Sequence, residues 1–150
     1  MSVAIVAIIA SVGTQILIQV NRFFILSNAR TEIQREARAV MYIVTRELRQ
    51  AQSNTIVIDR ASASQPFYSR ITFTTIQGQT RRFQQNGTRI QQITGSNTKT
   101  LSDDLRYLAF TFPRSDDLTI VSVSFTLSKL IYQGQLKTLH MASEKVQVMN

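Results

Sequence analysis

Thirteen arginines, a single histidine and two aspartate pairs are the residues of this 150-residue chain with chemistry to offer. There is no cysteine, which removes thiolate chemistry and any disulfide framework. His140 stands between Leu139 and Met141 in an alternating segment, and no Gly-x-Ser-x-Gly elbow accompanies it. It reads as a structural or surface histidine, and no catalytic set is expected. Asp103-Asp104 and Asp116-Asp117 are the only acidic pairs. Ca²⁺ takes about six oxygens or more, and no EF-hand spacing is present. Both pairs sit where turns are expected, and aspartate favours turns. A turn role is the expectation, with Ca²⁺ the lesser alternative and no other cofactor. Arg70, Arg81, Arg82, Arg89 and Lys99 make one region basic. If Arg82 and Arg89 share the outward face of a hairpin with Gln84 and Gln91, the patch can hold phosphates or a protein neighbour. No aromatic is interleaved for base stacking, so a solvated face or subunit contact is preferred to nucleic acid.

The formal net charge of +8 fits an anionic membrane surface, nucleic acid or an acidic partner. The length suits one domain, but the apolar residues are unevenly placed. Val3 to Val20 reads VAIVAIIASVGTQILIQV, without a charge. Its strongly polar residues are Gln15 and Gln19, four apart and therefore on one helix face. Gly13 is the only glycine from Ser2 to Gln52, and no proline occurs there.

That whole stretch is predicted to be one helix, roughly 75 Å long at about 1.5 Å per residue. Its second half repeats Ala29, Ile33, Ala37, Val40, Val44, Leu48 and Ala51 at spacings of 3 and 4, a single apolar stripe widened by Met41. Arg30, Glu32, Arg35, Glu36, Arg38, Arg46, Glu47 and Arg49 are assigned to the other faces, and Ser53-Asn54 to the helix stop. The division predicted is a hydrophobic stem, residues 1–26, and a domain, residues 27–150. The first part is too long and apolar for this chain's own core, so lipid or similar helices must surround it. Val3, Ile5, Val6, Ile8, Ile9, Val12, Ile16 and Leu17 would supply its apolar surface, with Gly13, Gln15 and Gln19 as its special positions.

From Thr55 onward the period changes to two. Strands are predicted at Thr55–Asp59, Arg70–Ile76, Thr80–Gln85, Thr88–Ile93, Leu105–Phe112 and Leu118–Leu127, with one or two more between Gln135 and Met149. Asn86-Gly87 is read as a two-residue hairpin turn, which sets Phe83 opposite Ile90. A three-residue loop at Gln77–Gln79 then sets Phe73 opposite Phe83. Gly95–Thr100 is read as a polar loop, and Gln133-Gly134-Gln135 as a turn. The fold class expected is α+β, a long N-terminal helix packed on one antiparallel sheet of about five to seven strands. Leu48 should be buried near Val123 or Phe125.

The unbroken passage from SVAIVAIIASVGTQ into REARAVMYIVTRELRQAQ resembles the helix of type IV pilin-like proteins. Arg46-Glu47-Leu48-Arg49-Gln50-Ala51, the Thr- and Arg-rich meander and the ending Lys145-Val146-Gln147-Val148-Met149-Asn150 resemble the J-type minor pseudopilins of type II secretion and related minor pilins of pilus and competence systems. The resemblance implies a non-enzymatic subunit near the tip of a pseudopilus. Its partners would be other minor pseudopilins or pilins and the membrane assembly platform. It would be held in the bacterial inner membrane by one span, with the C-terminal domain on the periplasmic side. A DNA-uptake pilin with a basic hairpin is the alternative. The family's basic leader, Gly-Phe cleavage site and following glutamate are not in the chain; they are either absent or upstream of Met1, and upstream is the expectation. Charge alone points the other way in the membrane, since Arg22, Arg30, Arg35 and Arg38 follow the apolar run. The resemblance is preferred, because a leader would carry the cytoplasmic charges.

Overall fold

A helix free of proline has no internal reason to stop until its side chains lose their partners. In the computed structural model, which describes residues 2–131 and 136–148, with side chains over 12–131 and 137–148, α1 runs unbroken over Ser2–Arg49. The expected stripe is its buried face: Ile33, Ala37, Val40, Met41, Val44 and Leu48 are buried, and Ala29 is half-buried. The helix stops earlier than expected. The carbonyls of Glu47 and Leu48 accept the amides of Gln50 and Ala51, and Ala51 leaves the helix to bridge Thr75. A 3-10 turn at Ser53–Thr55 leads into the sheet.

The strands are β1 (Val57–Asp59), β2 (Arg70–Thr74), β3 (Thr80–Asn86), β4 (Arg89–Thr94), β5 (Asn97–Ser102), β6 (Leu105–Thr111), β7 (Ile120–Ile131) and β8 (Leu136–Gln147). They form two antiparallel sheets, β1-β2-β3-β4-β5 and β6-β7-β8, rather than the single sheet expected. The sheets meet along β6, where the Phe110 and Leu105 amides donate to the Tyr68 and Thr88 carbonyls, each at 2.8 Å. α1 lies chiefly along β8 and β7. One core joins Leu48 and Val44 to Val123, Phe125 and Leu127, and to Ile71, Phe73, Phe83 and Ile90 of the larger sheet.

Two registers differ from expectation by two residues. The hairpin turn is Gly87-Thr88, flanked by the pair Asn86↔Arg89, so Phe83 lies opposite Gln92. A two-residue turn needs positive φ at its first central position, and Gly87 supplies it at +59° without a side-chain penalty. Between β2 and β3 the loop is Thr75–Gln79, and Phe83 lies opposite Ile71. Thr75 bridges Ala51 and closes the loop by donating its amide to the Gln79 carbonyl at 2.8 Å, while the Ile76 amide is drawn to the Gln50 carbonyl and away from β3. A slip of two leaves each side chain on its face. Phe73 and Phe83 still stack, diagonally, with ring centroids 6.2 Å apart.

β5 replaces the expected loop. Its sequence NTKTLS shows no apolar alternation, but an edge strand needs only backbone pairing on one side, and polar edges resist further pairing. Gly95, at φ +59°, makes the turn that returns it along β4. The turn expected at Gln133–Gln135 and the last residue of the final strand lie outside the described residues.

Candidate functional site

The stem is the first candidate. Every side chain from Thr14 to Phe24 is exposed, among them Ile16, Leu17, Ile18, Val20 and Phe23, and Val12 is exposed beside them. Leu17 is 70% exposed and Phe24 61%, values that a residue of this chain's own core does not reach. A Cβ built on Gly13 would meet nothing within 4 Å, so nothing in this chain requires glycine there. The side chains of Val3, Ile5, Val6, Ile8 and Ile9 lie outside those described. Among the described residues no helix is long and apolar enough to cross a membrane. Gln15 and Gln19 are exposed. Steps of seven keep Gln19, Leu26, Ile33 and Val40 near one line along α1, so the two amides lie on the side of the helix that higher up faces the sheets.

The basic face of the larger sheet is the second candidate. Alternation puts Arg70, Thr72, Arg82, Gln84, Arg89 and Gln91 on its outward side, as the registers require. Arg82 is half-buried, and its Nε donates to Thr72 Oγ1 at 3.3 Å. Arg89 is exposed and its Nε lies 2.8 Å from Asp103 Oδ1. Arg70 forms a fork with Asp59, Nε to Oδ1 and Nη2 to Oδ2, both 2.5 Å. That guanidinium holds the Asp59 carboxyl below its ordinary range, with Arg82 adding a weaker pull, and Asp59 in turn raises Arg70. Two of the three arginines on this face are therefore already matched by carboxylates, which weakens it as a phosphate cradle.

Sequence reasoning missed the cation on the opposite side. Arg81 points inward with Phe83 and meets Glu47 of α1 in a buried ion pair. Glu47, assigned from sequence to an outer face, has a side chain only 5% exposed, and Arg46 Nη2 also donates to its Oε1 at 3.1 Å. The signal was present in the spacing, because Val40, Val44, Glu47 and Ala51 continue the stripe at 4, 3 and 4. A second tie across the fold joins Lys129 Nζ to Glu32 Oε1 at 2.7 Å, and that bond raises the lysine above its usual value.

The remaining candidates occupy structural places. His140 is half-buried on β8 opposite Leu127, in a shallow groove with Arg30, Gln34 and Lys137. Asp103 pairs with Arg89, and Asp116 takes a fork from Arg114. Asp117 Oδ1 accepts the Thr119 hydroxyl at 2.5 Å and the Thr119 amide at 2.9 Å, which lowers its carboxyl. Among the described residues no three acids or histidines cluster as metal ligands would. No family model, curated protein or solved structure matches the chain.

Proposed function

We propose that this chain is a non-enzymatic minor subunit of a pilin-like assembly, of the minor pseudopilin kind, anchored in the bacterial inner membrane with its sheet domain on the outer side. One observation carries the reading: a single helix of 48 residues is domain core in its second half and, from Val12 to Phe24, exposed and largely apolar surface. An ordinary tether ends in a flexible linker. Here rigid backbone transmits the domain's orientation directly to the stem.

The mechanism is physical. The stem holds the subunit in lipid until assembly, then exchanges lipid for equivalent helices of neighbouring subunits. Both surroundings are apolar, so the exchange costs little solvation energy, and packing and hydrogen bonds between helices decide the outcome. Gln15 and Gln19 give one side of the stem amides that lipid cannot satisfy. A neighbouring helix can, at about 0.6–2 kcal/mol each. The partners are other minor subunits and the membrane assembly platform.

The test is Gln15→Leu with Gln19→Leu in cells that assemble the protein, scoring membrane insertion and cross-linking to neighbours separately. Insertion is expected to hold or improve while cross-linking falls. Unimpaired cross-linking would remove the amide edge from assembly, and loss of insertion would remove the stem from the membrane. The identity of the cross-linked neighbours separates a secretion system from a pilus or competence system.

A further inference from the structure

One exposed line of α1 carries Arg35, Arg38, Tyr42, Arg46 and Arg49, spaced 3, 4, 4 and 3, and its flank toward β8 forms an open groove that Glu144 also lines, without an ion pair to any of these arginines. All five are exposed, and they form a ridge about 21 Å long. The acidic residues of α1 are Glu32, Glu36 and Glu47, and all lie off this line. Glu32 is engaged by Lys129 and Glu47 by Arg81. Arg46 shares Glu47, and its guanidinium lies 5.8 Å from the centre of the Tyr42 ring. Among the described residues, Arg35, Arg38 and Arg49 have no carboxylate at ion-pair distance. On the face of the larger sheet two of three arginines are paired with carboxylates, whereas on this ridge only Arg46 of the four is.

We infer that the ridge docks a helix of a partner subunit whose facing residues are acidic. The inference rests on the assembly reading above and specifies the chemistry of one neighbour. Spacing of 3 and 4 is the seam along which two helices pack at a shallow angle. Arginine forks match carboxylates in two-point contacts, and Tyr42 adds an aromatic anchor among them. The same line continues toward the N-terminus through Thr31, Asn28, Phe24, Asn21 and Leu17, whose apolar members are exposed. One straight partner helix, apolar below and acidic above, covers both parts. A nucleic acid would have no use for Phe24 and Leu17. Lipid headgroups at the end of the stem cannot reach Arg49, which lies about 35 Å beyond Leu26 along the axis. A second copy in the same pose would set arginine against arginine.

The test places a photo-reactive benzoylphenylalanine at Tyr42, and separately at Leu17, of the full chain in cells that assemble it. Linked segments are identified by mass spectrometry. Both positions are expected to link to one helix of another subunit, with Asp or Glu at helical spacing around the Tyr42 link. Arg35→Glu with Arg38→Glu and Arg49→Glu should reduce the Tyr42 link about tenfold, a range charge reversal reaches at close ion pairs. Arg introduced at the partner's acids should restore it, while Arg82→Glu with Arg89→Glu should not affect it. A Tyr42 link to lipid, nucleic acid, a second copy or a segment without acids overturns the inference. So does the absence of a Tyr42 link, or one unchanged by the charge reversal. If the Leu17 link persists in those cases, the stem reading stands alone. If the Leu17 link is missing as well, the assembly reading fails with it.

Discussion

Ile33, Val40, Val44 and Leu48 in the upper half of α1 are buried, while Ile16, Leu17, Val20 and Phe24 in the lower half are exposed. The residue types are alike and the backbone between them is continuous. The difference lies in what occupies the remaining faces. In the upper half charged residues surround a single stripe, so one packing partner suffices and the two sheets provide it. In the lower half apolar residues appear on several faces at once, and one sheet cannot cover a cylinder. In the assembly proposed here lipid or neighbouring helices surround such a helix, and composition around the axis, not hydrophobicity alone, separates stem from core.

The comparison breaks most sharply at Leu48. Leu48→Ala should destabilise the domain by about 3–5 kcal/mol, since the site is fully buried between helix and sheets. Leu17→Ala should leave the same urea midpoint unchanged. Equal effects would mean that both halves serve one core. Glu47→Ala comes next, at about 2–3 kcal/mol, because it leaves the half-buried Arg81 guanidinium without a carboxylate, with Gln79 Oε1 as its remaining partner. Replacing both Glu47 and Arg81 by leucine should recover most of that loss. A Glu47→Ala protein as stable as the original would show that the pair does not hold the helix to the larger sheet.

A smaller effect comes from the exposed face. Asp59 is held below its ordinary range by Arg70. A depressed carboxyl adds stability above the unfolded value of about 3.9 and loses it as pH falls through the folded value. Asp59→Asn should therefore be the less stable protein at neutral pH, with the gap closing in acid. The side chain is 40% exposed, so solvent screens the pair and the gap should be modest. A gap independent of pH would assign it to packing. Smallest of all, removing residues 1–26 should leave a soluble domain with a cooperative thermal transition by circular dichroism, because the upper stripe keeps its sheets. An unfolded fragment would show that stem and domain are not separable.

Periodicity alone determined a good deal of this protein. The stripe from Ile33 to Leu48, the inward set Val121, Val123, Phe125 and Leu127, and the outward face shared by Arg82, Gln84, Arg89 and Gln91 were all legible, because side-chain direction repeats every 3.6 or 2 residues whatever the neighbours do. Outward placement of Arg82 and Arg89 even survived two register errors, since a slip of two residues keeps every face. Tertiary structure decided what depends on competition for backbone partners. The Gln50 carbonyl takes the Ile76 amide, which draws the chain after Thr75 away from β3 into a longer loop. Asp103 and Asp104 turn the chain from one sheet into a second, and the polar segment Asn97–Ser102 becomes a strand because an open edge lies beside it. The Glu47–Arg81 pair belongs to this class too. Alternation could aim Arg81 inward, but only the helix lying over the sheets brings a carboxylate to meet it.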